Sequence, residues 1–551
     1  MSLLDKASLV QIPSGYGDGK LYSVVPDNGD GDFDFSRSSS GTRVNSEGLI
    51  EVASVLGSEL ITNGDFATDS DWNKETGWTI SGGNLVGTSV TTGLAYQNSI
   101  VEAGKKYKAT FDVVVTSGVI GLYFDGGTGY QGLTTTTQTV TVFFTAVTAS
   151  PLYFRSSASN FTGTIDNVSV KEVFENDVPR LDYSGGASCA SLLLEPQRTN
   201  VLVHSTIFYS GWSLDDATKV SDSTTSPDGT TNAITLIGNT NASRHNIAQG
   251  PGGAVTASLS VFAKAKELRY LQIASANNPS QYVNFDVSDG TVGTVGSNFS
   301  DAKIEDYGNG WYRCSVTSTN QYNAMYISLV SSLTSSWLES WTMSNNTDGL
   351  YLYGAQLEEG SYPTSYIPTT SSTVTRTADV CNNAGTSATF NSTEGVLFAE
   401  IAALADDSTQ RFISLGDGTS NNRIILGYNN ASNGIIFFIR VGGTLVANIL
   451  TTINDIKNYN KLAVKWKEND FALWGNGVEL GSDLSGVSFA SGVLDNLNFL
   501  DADGTTEPFY GKTKQLIYFD EALSDEELLD LTGQANLSFN NLATFYNYTI
   551  L

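Results

Sequence analysis

The spacing of short alternating runs between turn residues constrains this chain more than any other feature. In Tyr107-Lys108-Ala109-Thr110-Phe111-Asp112-Val113 every second residue is apolar, which is the period of a strand with one buried face. Runs of this kind, roughly five to seven residues long, recur about every ten residues between clusters of Gly, Asn, Asp and Ser. The 54 glycines, 25 tyrosines and 26 phenylalanines fit short strands joined by many turns. One stretch, 524–531, reads as a helix instead: Ser524 and Glu527 form a capping box, and Gly533 is a stop. The predicted fold is all-β, with tandem β-sandwiches and one short helix near the C-terminus.

At about 150 residues per domain, the 551 residues predict three to four domains. Residues 1–57 read as a β-rich lead or attachment segment. Residues 58–175 read as one sandwich, opening at Asn63-Gly64-Asp65-Phe66 and closing at Ile165-Asp166-Asn167-Val168-Ser169-Val170. Residues 176–200 read as a connecting β-hairpin, in which Gly185-Gly186 allows the reversal and Pro196 ends the pairing. A second sandwich is expected over 201–370. Its opening, Phe208-Tyr209-Ser210-Gly211-Trp212, echoes the Trp72 region, so the two sandwiches are expected to be structural repeats. The third β-domain, 371–551, holds an Asn476-Gly477 hairpin, the helix and an apolar tail, 538–551, expected to pack on the domain.

Two separated segments carry a resemblance. FDFSRSSSGTRVNSEGLIE at 33–51 and PRLDYSGG with SLLLEPQRTN within 179–200 resemble segments of a family of phage virion proteins. The resemblance implies a modular fibre-like or decoration-like protein with jelly-roll carbohydrate-binding modules and concanavalin-like lectin domains. The two ends of 58–175 resemble the jelly-roll carbohydrate-binding modules. KLAVKWKENDFALWGNGVEL followed by GKTKQLIYFDEALSDEELLDL resembles the laminin-G and concanavalin-like lectin fold. In the virion family the GLIE segment usually leads almost directly into PRLDY. Here residues 52–178 intervene, which suggests an inserted domain.

Composition narrows the function. A net charge of −28 offers no basic surface for a phosphate backbone, so nucleic acid is not an expected partner. No apolar run approaches the ~18 residues of a membrane span, and no membrane insertion is expected. The opening MSLLDKASLVQIPSGYGDGK lacks the pattern of a secretory signal, and a virion protein made in the host cytoplasm needs none. Cys189, Cys314 and Cys381 are scattered and read as buried or neutral thiols of a protein assembled in reducing cytosol. Asp27, Asp30, Asp32 and Asp34 offer oxygen ligands, so a structural calcium ion could sit there. Their spacing is not that of an EF-hand, a turn is the simpler reading, and no cofactor is expected.

Catalytic chemistry finds little support. His204 and His245 are the only histidines, read as surface or loop residues, and no G-x-S-x-G, phosphate loop or HExxH is present. Two carboxylates suffice for a glycosidase, but among 57 acids a pair arises by chance. Non-covalent glycan binding remains, in which aromatic rings stack on sugar C–H faces and Asp, Asn and Arg pair with hydroxyls. The candidate residues are Trp72, Trp78, Tyr123 and Tyr130 in the first sandwich and Trp212 in the second. Arg411, Asp417, Arg423 and Trp474 are the candidates in the third. For any one of these aromatics, core packing competes with binding.

Three classes follow. The leading one is a non-enzymatic virion-surface protein on tail or capsid, most simply a tail-fibre or receptor-binding protein attaching to host cell-surface glycans. It would contact other virion proteins and act as a homo-oligomer, with a trimer as the usual fibre arrangement. A capsid decoration or head-fibre protein with a structural role is the second class, and a polysaccharide-degrading enzyme ranks below both.

Overall fold

The alternating runs become strands, nearly all of them antiparallel, in a computed structural model that describes residues 3–124, 129–157, 160–252, 256–275, 277–320, 324–504 and 506–533. The chain divides into two compact units: residues 54–175, and a unit assembled from 1–53 together with 176–551. The apolar tail 538–551 lies outside the described residues.

In the unit 54–175 two sheets face each other. One orders Gln138–Thr145, Lys106–Ser117, Phe161–Phe174, Asn84–Val90 and Trp78–Ser81, with Val55–Glu59 also paired to Phe161–Phe174. The other orders Gly129–Thr134, Ile120–Phe124, Ser150–Ser156, Ala95–Val101 and Asn73–Lys74. The alternation seen in the sequence is the mechanism: Tyr107, Ala109, Phe111 and Val113 all enter the core between the sheets.

The second sandwich repeats that order strand for strand. One sheet runs Ala217–Thr224, Ala233–Gly238, Gly349–Glu359, Ala257–Lys264 and Trp311–Ser318. Its mate runs Ser213–Asp215, His245–Gln249, Met325–Leu329, Tyr270–Ser275 and Tyr282–Asp286. Two extra strands, Thr291–Val295 and Phe299–Asp306, add one to each sheet. The expected repeat is therefore present in topology.

The C-terminal sandwich opposes a sheet of Thr444–Thr452, Gly434–Val441, Arg423–Tyr428, Arg411–Gly416 and Asn496–Asn498 to an eight-stranded sheet. That larger sheet recruits distant chain. Ala7–Gln11 and Ser191–Leu194 both pair with Gly511–Phe519, and Arg180–Asp182 pairs in turn with Ser191–Leu194. The segment 180–194 is the hairpin the glycines announce, and it extends a sheet edge rather than standing alone as a connector. The lead segment is likewise built in: Phe33–Ser36 pairs with Val380–Asn382. The helix Asp525–Gly533 has the expected capping box, with Ser524 N donating to Glu527 Oε2 at 2.9 Å and Glu527 N donating to Ser524 Oγ at 3.3 Å.

The resemblance segments meet in a buried ionic hub. Arg37 donates to Asp379 at 2.9 Å, Arg180 bonds both Asp379 and Glu195, and Arg376 pairs with Glu195 at 2.8 Å. All five side chains are shut from solvent. Burial would raise the Glu195 carboxyl, but Arg376 and Arg180 outweigh it and hold it far below the usual carboxylate range. Ser365 completes the hub, its backbone N donating to Glu195 at 2.8 Å.

Candidate functional site

The turn that opens the second sandwich builds the site. His204 and Phe208 take left-handed backbone angles (φ 50° each), and so does Gly211 (φ 88°), immediately before Trp212. A Cβ at Gly211 would also lie 3.2 Å from Gln249 Nε2, so this position favours glycine twice over. Gln249 pins the turn from the neighbouring strand, accepting from Val203 N at 2.7 Å and donating to Val203 O at 3.1 Å. Trp212 Nε1 donates to the same carbonyl at 2.9 Å.

These bonds hold the indole half-buried beside Phe208, ring centroids 4.7 Å apart, at the side of an open cleft of about 380 Å³. Tyr209 stands at the rim, 64% exposed, with Leu214 and Lys219 completing the wall. The Lys219 ammonium lies 5.6 Å from the Tyr209 ring centroid and donates to the carbonyls of Ile207 and Phe208. Burial lowers its pKa. Two aromatic faces, an ammonium and a phenol hydroxyl thus converge on one opening, the mix that a polyhydroxylated ring uses.

Several candidate residues belong elsewhere. Trp72 is only 5% exposed: its Nε1 donates to Asn63 O at 3.1 Å and its ring packs between Phe66 and Phe154. Trp78 is buried against Phe161 with Nε1 on Gly93 O at 3.0 Å. Trp474 lies in a small core formed with Leu528 and Leu531 of the helix. These three bury apolar area in cores and present no ring to a ligand.

The polar candidates are also engaged. Arg411 is buried and pairs with Asp407 at 2.7 Å. Arg423 grips Asp501 with contacts of 2.6 and 2.8 Å, and burial nevertheless raises the Asp501 carboxyl. Asp417 folds back on Thr419 and Asn422 in a local turn. The structure does not gather Arg411, Asp417, Arg423 and Trp474 into a site.

Tyr123 has a different setting. It is buried on the face of its sheet turned away from the core, stacked on Tyr153 at 5.3 Å and 6°. In register across four strands stand Tyr130, Tyr123, Tyr153 and Tyr96, and the Arg155 guanidinium lies 5.6 Å from the Tyr123 ring centroid. The side chain of Tyr130 lies outside the described ones. Sequence reading passed over Tyr96 and Tyr153, although Ala95-Tyr96-Gln97 and Leu152-Tyr153-Phe154 alternate in and out of the core. It also passed over Tyr209, whose signal is its place in the same tight turn as Trp212.

Histidine and acid positions complete the survey. His245 is buried in a strand, its ring nitrogens 2.8 Å from Asp216 O and 3.1 Å from Trp341 O, which corrects the expectation of a surface or loop residue. In the acidic turn, Asp32 accepts from Ser23 N at 2.7 Å, Asp30 N donates to Asn28 Oδ1 at 3.0 Å, and Asp34 pairs with Lys20. Among the described residues no group of three or more His, Cys, Asp or Glu is placed to hold a metal ion. Cys314 and Cys381 are buried, and burial pushes both thiols well up.

No family model matches the chain, and no curated protein matches it. Among solved structures it is similar to a carbohydrate-binding module of the Ruminococcus gnavus IT-sialidase bound to α2,3-sialyllactose. That match has 20% identity and a TM-score of 0.24, and covers 28% of this chain and 94% of that one. It is similar also to domain 4 of AbnA, a Geobacillus stearothermophilus arabinanase, in complex with arabinotriose. There the identity is 15% and the TM-score 0.25, over 32% of this chain and 82% of that one. The binding domain of Paraclostridial Mosquitocidal Protein 1 is a third, with 11% identity and a TM-score of 0.21, over 28% of this chain and 43% of that one. Likeness at this level bears on neither ligand nor activity.

Proposed function

We propose that this protein is a non-enzymatic glycan-binding protein of a phage particle, most simply a tail-fibre or receptor-binding protein that attaches the particle to a host surface. The observation that carries the reading is the open cleft walled by Trp212 and the exposed Tyr209. Rings presented to solvent at a concave opening stack on sugar C–H faces, whereas the buried Trp72, Trp78 and Trp474 serve cores. Placement on a virion rests on the resemblance of 33–51 and 179–200, whose Arg37, Arg180 and Glu195 join Arg376 and Asp379 in the ionic hub. Attachment through a shallow cleft is weak per site, and several copies on one particle would supply avidity through effective concentration.

The test is saturable binding of the full chain to host cells, competed by soluble host polysaccharide. Tyr209→Ala and Trp212→Phe should each weaken it at least ~10-fold, the scale of a lost stacking contact. Binding that survives both changes removes the cleft from the reading. Release of reducing ends from the polysaccharide would overturn the non-enzymatic assignment. Antibody label at the tail tip supports receptor binding, and label spread over the head makes the protein a decoration protein.

A further inference from the structure

A second cavity, of about 910 Å³, opens within the unit formed by 1–53 and 176–551. Its wall contains Arg313, on the strand Trp311–Ser318, only 4% exposed. The Arg313 Nη2 donates to Ser260 Oγ at 2.9 Å and Thr364 O at 2.7 Å, and the guanidinium lies 5.5 Å from the Phe262 ring centroid. Among the described residues its Nε is buried without a partner.

What distinguishes Arg313 is the missing counter-charge. The other buried arginines, Arg37, Arg180, Arg376 and Arg411, each hold a carboxylate. Among the described residues Arg313 has none within 4.0 Å. Glu358 bonds Thr364 through N and Oγ1 instead. A buried cation without a partner is costly, and an arriving anion removes that cost.

The rest of the lining is polar, with the half-buried Lys303 and the exposed Lys457 sharing the rim with exposed acids. Lys303 and Lys457 line it and form no ion pair among the described residues. The acids that line it without an arginine or lysine partner, Glu47, Glu305 and Asp306, are exposed, where water screens them. Tyr307 and Tyr366 also line it, and burial pushes both hydroxyls up to about 12, so they stay neutral donors.

From these residues we infer that the cavity is a second binding site, taking an acidic saccharide whose ring carboxylate meets Arg313 while its hydroxyls meet Tyr307 and the rim acids. The volume accommodates a disaccharide, since ligand sites run from about 300 to 1,000 Å³. The site is separate from the Trp212 cleft and stands or falls without it.

Calorimetric titration of the full chain with cellobiouronate and with neutral cellobiose tests this. The acidic sugar should bind at least ~10-fold tighter, the scale of one charge-assisted bidentate contact. Arg313→Gln should abolish that preference, and the exposed-side change Lys303→Glu should weaken the acidic sugar ~3-fold or more without touching the core. Tyr209→Ala should leave this titration unchanged. Equal binding of the two sugars, no binding at millimolar concentration, or loss of binding in Tyr209→Ala would each overturn the assignment. So would inorganic phosphate binding as tightly as cellobiouronate. Should Arg313→Gln fail to fold, the Lys303→Glu titration and the acidic-to-neutral ratio decide the matter alone.

Discussion

Trp72 and Trp212 open two sandwiches of the same strand order and finish in different surroundings. Each follows a residue in the left-handed region, Asp71 (φ 66°) and Gly211 (φ 88°), and each indole donates to a backbone carbonyl nine positions back. In each sandwich a buried glutamine grips the chain just upstream: Gln97 bonds Thr62, and Gln249 bonds Val203. Yet Trp72 is folded between Phe66 and Phe154, while Trp212 keeps one side on an open cleft. Phe66 precedes Trp72 by six positions and Phe208 precedes Trp212 by four, and in the second turn Tyr209 stands exposed beside a half-buried indole. The same local device serves a core in one repeat and a candidate ligand surface in the other.

A second contrast lies on the sheet faces turned from the cores. In 201–370 the long connection 330–348 is fastened there: Leu338 N donates to Gln272 at 2.7 Å, and Asn284 donates to Ser335 O at 2.7 Å. In 54–175 the matching connection, 157–160, is short, and the face carries Tyr96, Tyr153 and Tyr123.

The largest effect that would sharpen the first contrast is Trp72→Ala. Removing a buried indole should cost ~3–5 kcal/mol and unfold 54–175 early in a denaturant titration. A loss below ~1 kcal/mol would break the contrast with Trp212.

Glu195→Gln should cost a similar ~3–5 kcal/mol, because it takes the carboxylate from the buried Arg376 and leaves Arg180 with Asp379 alone, but in the other unit. Its pH signature separates the two. The folded Glu195 carboxyl is held low, so the unfolded chain binds the extra proton in acid. The stabilisation is therefore complete above about pH 4.3 and declines as pH falls below that value. Melting against pH should show this acid limb in the parent and a flatter one in Glu195→Gln. Acid sensitivity unchanged by the substitution would refute the role of the hub.

Next in size are Gln97→Leu and Gln249→Leu, each expected to cost about 1–3 kcal/mol for the backbone groups left unmet. Similar losses in calorimetry would support one shared opening device. Losses differing by more than ~2 kcal/mol would show that the two glutamines are not equivalent. The smallest stability effect belongs to Tyr209→Ala, within ~0.5 kcal/mol for an exposed side chain, with binding to host polysaccharide weakened at least ~10-fold all the same.

Much of the architecture could be read directly from residues. Alternation over 107–113 placed Tyr107, Ala109, Phe111 and Val113 in the core, and Ser524 with Glu527 placed the helix start. Both are local: a strand exposes every second side chain, and a capping box satisfies its own donors. Trp212, singled out in its aromatic turn, lines the open cleft. Trp72, Trp78 and Trp474 carry the same local signal and lie in cores, because burial is decided by what packs over a ring. For Trp474 that cover comes from the helix, more than fifty residues later in the chain.

Strand period, turn chemistry and the capping box were thus determined by neighbouring residues alone, since each is satisfied within a few positions of chain. The ionic hub needed Arg37, Arg180, Glu195, Arg376 and Asp379 to converge from segments far apart. The unpaired Arg313 became visible only once its surroundings could be searched for a carboxylate. Charge compensation and solvent cover are properties of three-dimensional neighbourhoods, and those the tertiary structure alone decided.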